Sequence, residues 1–289
     1  MFTVVACIPV FNRHEPIKRL VKQLGEQKNC RLSIVIVDHG TIPLQLEAAP
    51  CLEILRASSS FWFAAALNHG LRHIYATRTD EFLLILNDDV TLKDDRWVET
   101  LIRNAGQDSL VASMAIDKAS NVVYAGIRFS YLSTRFQFLR QGEDAASVAS
   151  ATNPSDALPT RGIAMSMATA KLIGLLEEEK LPQYSSDYEW TMRAKRRGRK
   201  LFVATATYVQ TDMNPQSART SGHNFYATNK VASFYADLTN RYRPGSIQEL
   251  YYFSKLAFRF PYRYFFLGSH LLRKIGGFVY TNYLKALVA

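Results

Sequence analysis

The chain has 289 residues, 48 % hydrophobic and 12 % aromatic, with a formal net charge of +10. That is apolar material enough for one large core, which excludes a disordered chain, and no uninterrupted apolar run reaches the ~18 residues of a spanning helix. Three cysteines (Cys7, Cys30, Cys51) without CxxC spacing exclude a disulfide framework and a zinc site, and are expected to be buried thiols of a reducing compartment.

Residues 3–9 form a short apolar run that stops at Pro9, with neither a basic n-region nor a long apolar core, so no signal peptide is expected and the cytoplasm is the expected compartment. Residues 15–27 place Ile17, Leu20, Val21 and Leu24 at helical spacing. The β-branched run 32–41 ends in Asp38-His39-Gly40-Thr41, and a third apolar patch (51–57) precedes an Ala-rich helix over 63–76. A strand over 82–86 runs straight into Asn87, Asp88 and Asp89, and a helix follows over 94–104 with Asp94 and Asp95 placed to cap it. Near-continuous apolar strands alternating with helices imply an α/β fold with a mainly parallel sheet and helices on both faces. Ligands of such sheets bind beyond the carboxyl ends of the strands. Here those ends are Pro9-Val10-Phe11, Asp38 to Thr41, and Asn87 to Asp89.

In the second half, 110–129 reads as strands and a turn, and 141–160 as a surface excursion. A strand returns over 160–168, and 185–206 reads as a helix, a basic turn at Gly198 and another strand. The basic cluster 193–200 suits a helix C-terminus, where cations complement the dipole ahead of a glycine stop. No nucleic-acid signature accompanies it, and no nucleic-acid partner is expected. Ser186-Asp187-Tyr188-Glu189 has the form of a capping box, which would use Ser186 and Glu189 and leave Asp187 in the first helical turn.

Asp88 and Asp89 pose a question of chemistry. A polar turn needs no such pair, since two adjacent negative charges repel, whereas carboxylate oxygens suit a hard divalent cation such as magnesium or manganese. Both readings stand on the motif alone.

Five segments in order (7–13, 34–41, 63–70, 84–90 and 185–198) together resemble the inverting family 2 glycosyltransferases with the GT-A nucleotide-sugar-binding fold, and most of all their rhamnosyltransferase-like members. The resemblance covers about 3–240. It implies that Pro9, Phe11 and Asn12 line the nucleotide base and that Asp38 accepts the ring N–H of uracil or thymine. It places Asn68 and Gly70 along the nucleotide and Asp88 near the ribose or sugar. Asp89 becomes the ligand of a divalent cation (Mn or Mg), and Asp187 the general base. Glu189 falls on the family's second acidic position. Where the family often has a metal-binding His, this chain reads 208–212 as Tyr-Val-Gln-Thr-Asp, so Gln210, Asp212, His223 or water is left for the third ligand. The implied donor is a UDP- or dTDP-sugar, and the implied acceptor a hydroxyl of a lipid-linked bacterial surface glycan. The loop-like segment 207–224 is expected to close over the donor. A nucleotidyltransferase would open instead on a Gly-rich loop, which residues 9–16 lack, and a silent binding module would have lost Asp89 or Asp187.

The chain divides at about 240 into a catalytic domain (1–240) and a helical tail (241–289). From 241 onward eight Lys or Arg face one acid, Glu249, with Tyr and Phe crowded among them. Interleaved rings and cations suit the plane of an anionic membrane, here the inner face of the cell membrane. The same face also suits a homo-oligomer contact or packing on the catalytic domain.

Overall fold

A computed structural model describes residues 1–148, 152–211 and 230–284. In chain order the elements are β1 (Phe2–Val10), α1 (His14–Gly25), β2 (Cys30–Asp38), β3 (Leu52–Arg56), α2 (Phe63–Thr77), β4 (Phe82–Ile85), β5 (Val90–Leu92), α3 (Trp97–Ala105) and β6 (Ser109–Ile116). There follow β7 (Val122–Tyr124), β8 (Ile127–Ser130), β9 (Arg135–Phe138), α4 (Ala145–Val148), β10 (Thr152–Pro154), β11 (Ile163–Ser166) and α5 (Met167–Ile173). The rest are α6 (Ser186–Arg196), β12 (Lys200–Thr211), α7 (Lys230–Thr239), α8 (Ile247–Ala257) and α9 (Tyr262–Val279), which ends in a π-helical turn, Tyr280–Leu284.

The apolar runs pair as one ten-stranded sheet in the order β10-β12-β6-β11-β4-β1-β2-β3, with β5 on β12 and β7 on β6. The half formed by β4, β1, β2 and β3 is parallel throughout, and β11 enters antiparallel between β4 and β6. This is the α/β architecture expected from the alternating pattern. Because β11 runs the other way, the residues before it (160–162) lie beside the residues after β4 (87–89). One end of the sheet therefore collects the carboxyl ends of β1, β2 and β4 and the amino end of β11.

Pro9 does not sit in a loop, because β1 runs on to Val10 and pairs Pro9 with Val37. The ladder to β4 stops earlier, at Cys7 and Ile85, and Leu86 N donates to Cys7 O beyond it. Alternate residues of a strand face the same neighbour, so the side of Pro9 that carries no N–H faces the place where β4 departs. The sheet parts there without stranding a donor.

Helix α2 crosses β1 and β2 at Gly70, where an added Cβ would lie 2.6 Å from Cys7 Sγ and 2.7 Å from Val37 Cγ2. Glycine lets the helix approach the sheet this closely.

Three local expectations are corrected. The excursion 141–160 is partly interior: β10 pairs with β12, and Ala157 and Leu158 are fully buried. Residues 207–211 are not loop, since β12 continues through Thr211 against β5. The rest of that segment, 212–224, lies outside the described residues, as do the ligand candidates Asp212 and His223. Helix α3 begins at Trp97, later than expected, without a side-chain cap; Asp94 Oδ1 accepts from Arg96 N ahead of it, and Asp95 pairs with Lys28 at 2.5 Å.

The C-terminal helices join a second apolar cluster, in which Leu250, Phe253 and Ala257 of α8 and Phe266 of α9 meet Phe129 of β8 and Met192 of α6. Part of the basic, aromatic segment thus packs on the larger body. The cations of 193–200 serve the same framework. Arg193 donates to the carbonyls of Ile173 and Leu175, Arg196 to that of Ala257, and Lys195 pairs with Asp156 at 2.5 Å.

Alanine in place of an interior helical glycine normally stabilises by ~0.5–1 kcal/mol. At Gly70 the close contacts reverse the sign, because overpacking a tight core costs ~1–3 kcal/mol. Gly70→Ala is expected to lower the urea midpoint; an unchanged or raised midpoint contradicts the close crossing.

Candidate active site

The buried strand β4 delivers Asn87, Asp88 and Asp89 to the end where the sheet parts. The Arg13 guanidinium, from the turn after β1, reaches across to them: its Nη1 donates to Asp89 Oδ2 at 2.9 Å and stands 3.7 Å from Asp88 Oδ1. Burial pushes the Asp88 carboxyl up to about 7; Arg13 opposes this, the neighbouring Asp89 adds to it, and the backbone amides of Asp88 and Phe11 pull it down. One guanidinium therefore faces two carboxylates in a partly dry site.

Whether these residues fit a divalent cation is decided by Asp89 Oδ1, a buried acceptor with no hydrogen-bond partner among the described residues. An unpaired buried carboxylate oxygen is costly unless something cationic or protic meets it. A hard cation fits that need, and magnesium in particular is held by one or two carboxylates completed by water and substrate phosphates. Among the described residues no group of three His, Cys, Asp or Glu forms a closed metal cage. Gln210, a candidate third ligand, lies in β12 opposite Thr91, with its Nε2 3.4 Å from Asp117 O.

Asn87 extends the site in the other direction. Thr160 Oγ1 donates to Asn87 Oδ1 at 3.4 Å, and the Thr160 backbone also bonds the Asp187 carboxylate. Asp187 lies in the first turn of α6, half-buried, with its Oδ1 accepting from Tyr188 N at 2.8 Å. Burial raises its pKa; the Tyr188 amide, the Arg161 charge and the Thr160 amide pull it back. A single turn, 158–162, therefore links the carboxylates of β4 to the carboxylate of α6.

The capping box does not form. The residue before α6 is Ser185, in the left-handed conformation at φ 60°, and it makes no side-chain cap bond. The Ser186 hydroxyl is buried without a partner among the described residues. Glu189, which is also buried, pairs with Arg193 at 3.1 Å and Arg196 at 3.5 Å. Two nearby guanidiniums outcompete a backbone amide for a buried carboxylate.

Ser185 is held from a distance. Its hydroxyl donates to Glu249 Oε1 at 2.5 Å, and Glu249 Oε2 accepts from Gly245 N. Glu249 belongs to α8, so the C-terminal segment braces the turn that presents Asp187. In the sequence Glu249 stands out only as the lone acid of the tail. Nothing in the sequence marks Tyr124, whose buried hydroxyl has no partner among the described residues and whose pKa burial raises, with Arg161 and Asp187 acting on it in opposite senses.

The base-side residues are tightly organised. Asn12, at φ 56°, accepts from Thr41 N at 2.8 Å and donates from Nδ2 to Thr41 Oγ1 at 3.0 Å, tying the turn after β1 to the turn after β2. Gly40 suits this contact, since a Cβ there would lie 2.5 Å from Asn12 Oδ1. The Phe11 ring lies 5.3 Å from His39. Asp38 is buried: Oδ2 accepts from Arg56 Nη1 at 2.6 Å and Leu44 N at 2.8 Å, and Oδ1 accepts from Gly40 N at 3.0 Å. With two lone pairs per oxygen, Oδ1 keeps one acceptor position. Asn68, expected along the nucleotide, is fully buried instead. Its amide donates to Leu176 O and Glu178 Oε2 and accepts from Leu176 N, so here it pins 176–178 to α2.

The family model described as "Glycosyl transferase family 2" matches residues 5–154. Among solved structures, the chain is similar to GalNAc-T7 crystallised with UDP, GalNAc and Mn2+, at a TM-score of 0.57 and 12 % identity, over 98 % of this chain and 59 % of that one. It is similar also to residues 1–349 of TarS from S. aureus, at a TM-score of 0.54 and 14 % identity, over 98 % of this chain and 74 % of that one. At these identities the likeness is one of fold. No curated protein matches the sequence.

The raised Asp88 pKa carries a sign for stability. A carboxyl held above its unfolded value contributes stability that is fully present below the ordinary carboxylate range and is lost as pH rises through about 7. Without added cation, Asp88→Asn is therefore expected to melt above the parent at about pH 8, with the gap narrowing toward about pH 5. A gap that stays constant across that range contradicts the desolvated carboxyl.

Proposed function

Since the family match spans residues 5–154, more than half of the chain, the protein belongs to glycosyltransferase family 2, and from that premise we propose that it transfers a sugar from a UDP- or dTDP-sugar to a glycan hydroxyl with inversion at the anomeric carbon. The observation that supports this reading is the bonded path Asp187–Thr160–Asn87, which ties a half-buried carboxylate to the strand end that carries Asp88 and Asp89. A transfer of this kind needs one group to accept a proton and another to meet the charge of the departing diphosphate, on opposite sides of the sugar.

Asp187 is the base. The backbone amides of Tyr188 and Thr160 fix its orientation, and burial raises its proton affinity above that of an exposed Asp. That makes it a stronger acceptor for the acceptor's hydroxyl proton than an exposed Asp would be. Asp89, through Oδ1, and Asp88 would hold a divalent cation, which when bound supplies Lewis-acid stabilisation of the leaving diphosphate. Arg13 already offsets one charge of the pair, and its guanidinium would suit a phosphate oxygen of the donor. Asp38 Oδ1 accepts the N–H of a uracil or thymine ring, with the Phe11 and Asn12 turn as the wall of the base pocket. An anionic acceptor there selects bases that carry a donor.

A lipid-linked glycan on a rhamnosyltransferase-like pathway is the acceptor class in this reading, at the inner face of the cell membrane. What supports the membrane side is the excess of cations and rings after 240. No helix of the described residues is long and apolar enough to cross a membrane, so attachment would be peripheral. A homo-oligomer contact through the same segment is the competing use of that surface.

Asp187→Asn is expected to lower the transfer rate by ~10²–10⁴, the range for a positioned acid–base group, while donor affinity hardly moves. Normal turnover in the variant removes Asp187 as base. Asp89→Asn is expected to abolish the manganese-dependent part of donor binding in calorimetric titration while the fold is kept, because the residue sits at a strand tip. Unchanged metal-dependent binding removes Asp89 from the site.

A further inference from the structure

The cations after residue 240 divide into two sets. Arg243 pairs with Asp237, Lys274 donates to the carbonyls of Pro244 and Gly245, and Arg273 donates to Ser133 O and Thr134 Oγ1. Those charges hold the C-terminal helices onto the body. Lys255, Arg259 and Arg263 are different: at the junction of α8 and α9 they make no ion pair among the described residues. Lys255 and Arg263 instead flank a cavity of about 90 Å³ lined by Tyr251, Ser254, Tyr264 and Leu267. That is several times the ~10–15 Å³ a single water needs.

The rings hold the cations in place. Lys255 Nζ lies 5.9 Å from the Tyr251 ring centroid; Arg263 lies 4.9 Å from that of Tyr264 and donates to its hydroxyl at 3.2 Å. Two positive groups kept apart by aromatic faces, around a cavity with no acid, need an anion to complete them. A guanidinium offers paired N–H donors that match the oxygens of a phosphate, and an ammonium adds a point charge. Phe260, whose ring lies 5.9 Å from Arg263 and 6.0 Å from the Tyr264 ring, is 73 % exposed. An exposed ring beside cations matches the boundary between headgroups and acyl chains.

We propose that the cavity between α8 and α9 binds the phosphate of an anionic phospholipid headgroup through Lys255 and Arg263, with Phe260 entering the bilayer beside it. This rests on the peripheral-membrane part of the function proposed above and gives it a specific site. Glu249, which braces Ser185 beside Asp187, lies on the same helix as Lys255, six residues or ~9 Å along its axis. A headgroup seated there fixes the catalytic turn relative to the membrane plane.

Cosedimentation with vesicles tests the proposal without any activity readout. The full chain is expected to bind phosphatidylcholine vesicles only when they contain phosphatidylglycerol, and to release as salt rises. The double variant Lys255→Gln with Arg263→Gln is expected to lose about tenfold or more in apparent affinity. Lys22→Gln with Arg31→Gln, which removes as much charge from the opposite end of the chain, is expected to lose much less. Equal losses in the two double variants overturn the cavity as the site and leave general attraction to the membrane. A parent chain that ignores phosphatidylglycerol vesicles overturns both the cavity and the membrane attachment, but not the sugar transfer. Titration of inorganic phosphate alone separates the source. Tight binding of free phosphate that needs Lys255 and Arg263, without any vesicle preference, assigns the cavity to a soluble phosphate and overturns the lipid.

Discussion

Two carboxylates at the tip of a wholly buried strand, with one guanidinium to balance them, set the terms for everything around them. Asp88 and Asp89 cannot both be ionised, desolvated and unpaired, because like charges a few ångströms apart in a dry site repel strongly. Arg13 offsets one charge and burial raises the proton affinity of Asp88. Asp89 Oδ1 is left as an acceptor facing inward. The parted sheet explains how such an arrangement is tolerated. Pro9 removes a donor where β4 leaves β1, and the cleft that opens there is lined by backbone amides that bond Asp88 instead of a neighbouring strand. A site like this stores a demand for positive charge.

The Asp187 carboxylate depends on a different set of forces. Asp187 stands at the start of a helix whose first residue follows a left-handed serine, a conformation that costs free energy for any residue with a Cβ. Glu249 offsets that cost by accepting the Ser185 hydroxyl from the far end of the chain. The C-terminal helices are therefore more than an appendage. Their aromatic cluster with Phe129 and Met192 fixes where α8 lies, α8 fixes Glu249, and Glu249 fixes the turn before Asp187. Membrane contact through the outer face of the same helices would act along this route.

Legibility in the sequence followed the range of the interaction. Apolar runs and their periodicity are local, so the strands, α1 and α2 could be read from spacing, and the run into Asn87-Asp88-Asp89 marked the site. The ordered motifs led to the family. What escaped was set by partners far along the chain: Arg13 meets Asp89 at a separation of 76 residues, and Ser185 meets Glu249 at 64. Local grammar also misled where a stronger partner lay nearby. Glu189 had the spacing of a cap, yet Arg193 and Arg196 one and two turns on took its carboxylate. Asn68 looked like a polar residue on a ligand path, but it is fully buried and its amide bonds to Leu176 and Glu178. No spacing rule reports which buried polar group already has its partners.

The central claim is a single displacement, with Asp187 on one side of the sugar and the carboxylate pair on the other. Proton NMR of the product, followed from the first turnovers with a UDP- or dTDP-sugar that the protein accepts, reads the anomeric configuration directly. The account predicts a configuration opposite to that of the donor. A product that keeps the donor's configuration would require a second displacement and a protein nucleophile, and would contradict it.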